Sequence, residues 1–173
     1  WRTCIHEAGH AVIGMAVGLS VFETTVLPDD EALGSCELPS PLATWERGDG
    51  PRRLLGESFV LALMAGAEAE VLFFGDHDEG DWQDRDRIDG TMADIGAPGC
   101  RYVGDDAWFG YERRLRARAR RLVAEHRVEI ERVADVLAKR GRIAAGDVAA
   151  VLGDTQARRG NGSPRYLGLL VSP

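Results

Sequence analysis

The amino-acid sequence predicts a mostly helical α+β domain. Apolar residues recur at steps of three and four through several long stretches, which is the period of a helix that buries one stripe. Two short runs near the N-terminal end instead stop at prolines as strands do, the first of them dense in β-branched residues. The 173 residues are 45% hydrophobic and 28% charged, enough for one domain with a proper core and ordinary for a soluble globular protein.

Each element follows from local pattern. Residues 3–19 read as a helix whose stripe is Ala8, Ala11, Val12, Met15 and Leu19. Residues 21–27 are β-branched and end at Pro28, a strand; 28–34 is a turn. Residues 35–38 form a second short strand, stopped by Pro39 and Pro41, so a small sheet or hairpin is expected. The stretch 43–52, with Gly48, Gly50 and Pro51, is a loop. Helical spacing returns over 53–74, through Leu54, Leu55, Phe59, Leu63, Met64, Ala67 and Val71, and Gly75 sits where a helix closes. An acidic loop, 76–86, leads into a helix over about 84–95, which Pro98 and Gly99 break. Helices over 106–140, with room for an interruption, and 146–152 make a C-terminal helical bundle. Residues 154–173, rich in Gly, Arg, Ser and Pro, read as a flexible tail on a domain spanning 1–153. There are no internal repeats.

Charge and composition exclude several classes. The formal net charge of −7 argues against a nucleic-acid-binding module. The basic run 113–121 recurs at helical spacing among Leu115, Ala117, Ala119 and Leu122, and reads as a solvated helix face. Cys4, Cys36 and Cys100 are far apart and include no C-x-x-C pair, so reduced thiols in a cytoplasmic or cytoplasm-facing setting are expected. The most apolar stretch, 58–74, is interrupted by Glu68 and Glu70, which favours a buried core helix over a membrane span. No signal peptide is visible. Because Trp1 rather than Met opens the chain, it is expected to be a piece of a longer protein, with any anchor outside it.

The chemistry-bearing motif is His6-Glu7-Ala8-Gly9-His10, an H-E-x-x-H pattern. Histidines four apart on a helix present both imidazoles on one face, which suits two corners of a tetrahedral zinc site. Glu7, beside the first ligand, is placed to act as general base and then return the proton to a leaving amine. A catalytic zinc usually has three protein ligands. The extended signature with a third histidine fails, because Ile13 and Ala16 occupy its Gly and His positions. His77 lies in the acidic loop and His126 in a charged helix that suggests a surface position, so a carboxylate is the better third ligand. Counting from Asp84, Ile88, Met92 and Ile95 fall on one helix face, which aims Asp84 at the core; Asp86 fits that face less well.

These residues resemble the FtsH-type zinc peptidase domain, the proteolytic half of membrane-bound AAA proteases. The likeness runs through His6-Glu7-Ala8-Gly9-His10-Ala11-Val12-Ile13-Gly14, the strand 21–28, Ala32-Leu33-Gly34, Leu38-Pro39 and the helix end 66–75, and on through Glu125-His126-Arg127 and Asp147-Val148, about residues 3–153. It implies a zincin-like H-E-x-x-H helix, one Zn2+ per chain on His6 and His10, and Glu7 as catalyst. It implies an Asp third ligand opening the helix after the Phe74-Gly75 loop. Counting from Gly75 lands on Asp86, whereas helix phasing favours Asp84; Asp86 stays as the alternate. Glu70 matches a family glutamate near the site, implying that it orients a ligand histidine; a helix-terminal salt bridge is its other reading. The family's "STGASND" stretch is replaced by Glu79-Gly80-Asp81-Trp82-Gln83-Asp84. The resemblance further implies an AAA ATPase module elsewhere in the full-length chain and a hexameric homo-oligomer.

The expected activity is endopeptidase cleavage of unfolded or flexible polypeptides. An extended substrate commonly adds to a sheet edge beside the metal. The strand at Gly34, Ser35 and Cys36 is that expected edge, with Gly34 either allowing close backbone approach or serving as an ordinary turn residue. Two rivals stand: a catalytically inactive, metal-stabilised interaction module, motivated by the changed stretch before Asp84, and a zinc hydrolase of another substrate class.

Overall fold

The computed structural model describes residues 1–28, 33–40, 51–77, 82–98 and 106–158. Its elements in order are α1 (Arg2–Ala16), β1 (Glu23–Thr25), β2 (Ser35–Cys36), α2 (Arg52–Phe74), α3 (Trp82–Asp94), α4 (Asp106–Glu125), α5 (Arg127–Arg140), β3 (Arg142–Ala144) and α6 (Ala145–Arg158). The fold is therefore mostly helical with one small sheet, the α+β class expected from the periodicity. The loop at 43–50, the middle of the 28–34 turn, residues 78–81 of the acidic loop, Gly99, Cys100 and the tail beyond Arg158 lie outside the described residues.

Helix α2 is the centre of the packing. It is buried almost continuously from Phe59 to Glu70, as an apolar run of that length requires. α1 packs most extensively on α2, and α5 covers another side of α1, while α3 and α4 lie against α2. The close approach of α1 and α2 needs Gly9: a Cβ there would sit 2.7 Å from the Ala65 carbonyl oxygen. No helix among the described residues is long and apolar enough to cross a membrane.

Three expectations are corrected. The strand expected over 21–27 is only Glu23–Thr25, and that over 35–38 is only Ser35–Cys36. The small sheet is present and β3 joins it as a third strand, in the order β2-β1-β3, all antiparallel, with Thr24 opposite both Cys36 and Ile143. The helical stretch 106–140 is broken at His126, which is half-buried rather than on the surface. The last helix continues through Arg158, so residues 154–158 are helical, with Asp154 paired to Arg132.

The basic run of α4 is more than a solvated face. Trp108, Tyr111, Leu115, Ala119 and Val123 form its buried stripe. From beside that stripe Arg116 and Arg120 reach Glu68 of α2, which is only 3% exposed. A buried carboxylate needs such partners, so these two arginines neutralise a charge inside the fold.

Candidate metal centre

Helix α1 carries His6, Glu7 and His10, and one turn of helix stacks the two imidazoles, their ring centroids 4.6 Å apart and nearly perpendicular. Each ring is held through Nδ1 by α2. His6 Nδ1–H donates to Glu70 Oε1 at 2.7 Å, and His10 Nδ1–H donates to the Ala62 carbonyl at 2.8 Å. Such contacts fix both tautomer and ring orientation, and they turn both Nε2 atoms the same way.

Those nitrogens face Asp84, in the first turn of α3. Asp84 Oδ2 lies 2.9 Å from His10 Nε2 and 3.3 Å from His6 Nε2. Ligand atoms of His6, His10 and Asp84 all fall within 4.8 Å of one another, the group among the described residues able to hold a metal ion. Ile88 and Met92 are buried on the face that follows Asp84, so helix phasing and structure agree on its direction. Asp86 is exposed on α3 and stands outside the group.

Burial and neighbouring charge oppose each other at these residues. Burial opposes charge on His6, but the Asp84 and Glu70 carboxylates outweigh it and push its pKa up to about 10. His10 is raised as well, its burial outweighed by Asp84. Asp84 is also opposed by burial, yet the two imidazoles drive it far below the usual carboxylate range. Burial raises Glu7.

Two further features fit a metal with a reaction beside it. Glu7 is 6% exposed, and its Oε2 has no hydrogen-bond partner among the described residues, an arrangement uncommon for a buried carboxylate. Gly66 of α2 lies under the imidazoles: a Cβ there would stand 2.6 Å from the Nε2 atoms of both histidines. The glycine thus keeps clear the space toward which both nitrogens point. Two imidazole nitrogens, once deprotonated, and a carboxylate oxygen would form a donor set suited to zinc.

The centre opens into a cavity of about 370 Å³. Gly34, Ser35 and Cys36 line it, and β2 is the outer strand of the sheet on that side. A Cβ at Gly34 would meet the Thr25 carbonyl oxygen and Thr3 Cγ2 at 2.9 Å, and Glu7 Cγ at 3.1 Å. That glycine is required by the chain's own packing against α1. The Cys36 thiol is buried and hydrogen-bonded by Thr24, and burial pushes it up to about 12, so the strand offers its backbone rather than a reactive thiol. His77 is not a member of the metal-ligand group. The sequence reading missed Gly66, the Ala62 carbonyl and Arg2. A glycine inside an otherwise apolar helix was the available signal for the first; nothing local marks the other two.

A scan against protein-family models and a search of curated proteins find no match to this chain.

Proposed function

We propose that this chain is a zinc-dependent endopeptidase, zincin-like and of the FtsH type, which hydrolyses peptide bonds in unfolded or flexible polypeptides. The observation that carries the reading is the buried Glu7 Oε2, without a hydrogen-bond partner among the described residues, beside the convergent His6, His10 and Asp84 atoms. Those three residues would hold a zinc ion, which would supply a Lewis acid able to acidify water and polarise a scissile carbonyl. Glu7 takes a proton from the attacking water at Oε2 and delivers it to the departing amine nitrogen. Burial makes Glu7 more basic than an exposed glutamate, which suits that role. Glu70 and the Ala62 carbonyl keep the imidazoles from turning. The outer edge of β2 offers backbone groups to an extended substrate lying in the cavity. The same reading makes the chain the proteolytic part of a longer, ATP-dependent, ring-forming protease at or facing the cytoplasm.

The test is digestion of casein by the purified chain with zinc, with chelator, and after zinc is restored. Cleavage that survives chelation would sink the metal mechanism. Glu7→Gln should retain zinc and lose hydrolysis by about 10²–10⁴-fold; unchanged turnover would remove Glu7 from the base role. Zinc bound by the wild type with no hydrolysis of any peptide in a library would replace this reading with the metal-stabilised interaction module.

A further inference from the structure

Glu70 orients His6 with one carboxylate oxygen; its other oxygen is held by Arg2. Arg2 Nη1 donates to Glu70 Oε2 at 2.9 Å, while Nη2 donates to Asp76 Oδ1 at 2.7 Å and Nη1 also to the Asp76 carbonyl at 3.3 Å. The guanidinium carbon stands 4.6 Å from the centroid of the Phe74 ring. Arg2 sits one helical turn before His6, on the same face of α1. Glu70's side chain is 5% exposed, so its charge needs a fixed partner.

The geometry points to Arg2 as a positioning residue of the metal centre. Resting on the metallopeptidase reading, this inference gives Arg2 two tasks. It locks the Glu70 carboxylate in the rotation that accepts the His6 Nδ1 proton, so that Nε2 faces the cation. It also fastens the turn after α2, the start of the chain that leads to Asp84 on α3. Both tasks need a planar fork with several donors in set directions. A lysine supplies the charge but not the fork.

An ordinary surface ion pair would steady the end of α2 and leave the metal unaffected, so the test separates affinity from stability. Arg2→Ala, Arg2→Lys and Asp76→Ala are made in the full chain. Zn2+ affinity is measured by competition with a chromophoric chelator, the Co2+ form by its visible absorption, and the metal-free form by its thermal midpoint in chelator. The expected result is Zn2+ affinity about 10–100-fold weaker for Arg2→Ala, with an altered Co2+ band. Arg2→Lys recovers part of that loss, and Asp76→Ala, which cuts only the exposed arm, loses less. Zn2+ affinity and Co2+ band unchanged in both Arg2 variants would overturn the inference, whatever happens to the midpoint. A wild-type chain that binds neither ion overturns the metallopeptidase reading, and this inference with it; a wild type that binds both while Arg2→Ala binds equally overturns the role of Arg2 alone.

Discussion

The most constrained single residue is Gly66. Its backbone lies under two imidazoles that are each tied down through Nδ1, His6 to Glu70 and His10 to the Ala62 carbonyl. A methyl group in that position, 2.6 Å from both Nε2 atoms, meets rings that have no free rotation in which to escape. Gly66→Ala should therefore weaken Zn2+ or Co2+ binding by at least about tenfold, a loss typical of disturbed ligand orientation. The metal-free fold should also lose stability, since overpacking of about 1–3 kcal/mol outweighs the roughly 0.5–1 kcal/mol by which alanine is favoured over glycine in a helix interior. A metal titration paired with a thermal melt checks both halves. Wild-type affinity in this variant would show that the imidazoles do not keep this arrangement around a cation. Residue-scale features of this kind were only partly readable. The inward direction of Asp84 could be read from the sequence because Ile88 and Met92 repeat it along α3. Arg2 could not, because its partners are 68 and 74 residues away and no local pattern joins them.

At the scale of elements, periodicity revealed what was long and missed what was short. α1 and α2 are long and rich in buried apolar residues, so their spacing announces them. β3 is three residues, Arg142-Ile143-Ala144, too short for alternation to register; its existence depends on β1 lying alongside. The break at His126 between α4 and α5 carries neither Gly nor Pro, so no local signal marks its place. The contact of α1 with α2 offers the clearest element-scale prediction. Gly9→Ala places a Cβ 2.7 Å from the Ala65 carbonyl oxygen and 3.0 Å from Ala69 Cβ. The first of these is helix backbone, which cannot swing aside, so the axes must part. Overpacking of this kind costs about 1–3 kcal/mol. The urea midpoint should fall accordingly, and an unchanged midpoint would contradict so close a packing of the two helices. Because His6 and His10 ride on one helix and Glu70 and Ala62 on the other, metal affinity should fall in the same variant.

For the whole molecule, the proposed zinc is a cross-link between parts that otherwise meet through modest surfaces. Its ligands come from α1 and α3, and α3 reaches the core mainly through Ile88, Thr91 and Met92. A cation that binds the folded chain alone stabilises it by about 2.7 kcal/mol at a free concentration one hundred times its dissociation constant. For a chain of this size the melting temperature moves by about 2–4 °C per kcal/mol, so zinc should raise it by roughly 5–11 °C, and His10→Ala should abolish the rise. The pH dependence has a definite sign. In chelator, His6 has a pKa of about 10 against an ordinary 6.5, so its pairing with Asp84 and Glu70 stabilises fully below the ordinary value and is lost as pH climbs towards 10. Zinc must displace protons from the same imidazoles, so its affinity grows over that range. The difference in melting temperature between zinc-loaded and chelated protein should therefore widen steadily from pH 6.5 to 9. Differential scanning fluorimetry across that range measures it; a gap that is constant or narrows with rising pH would mean that the ion does not compete with protons at His6 and His10, and so is bound elsewhere.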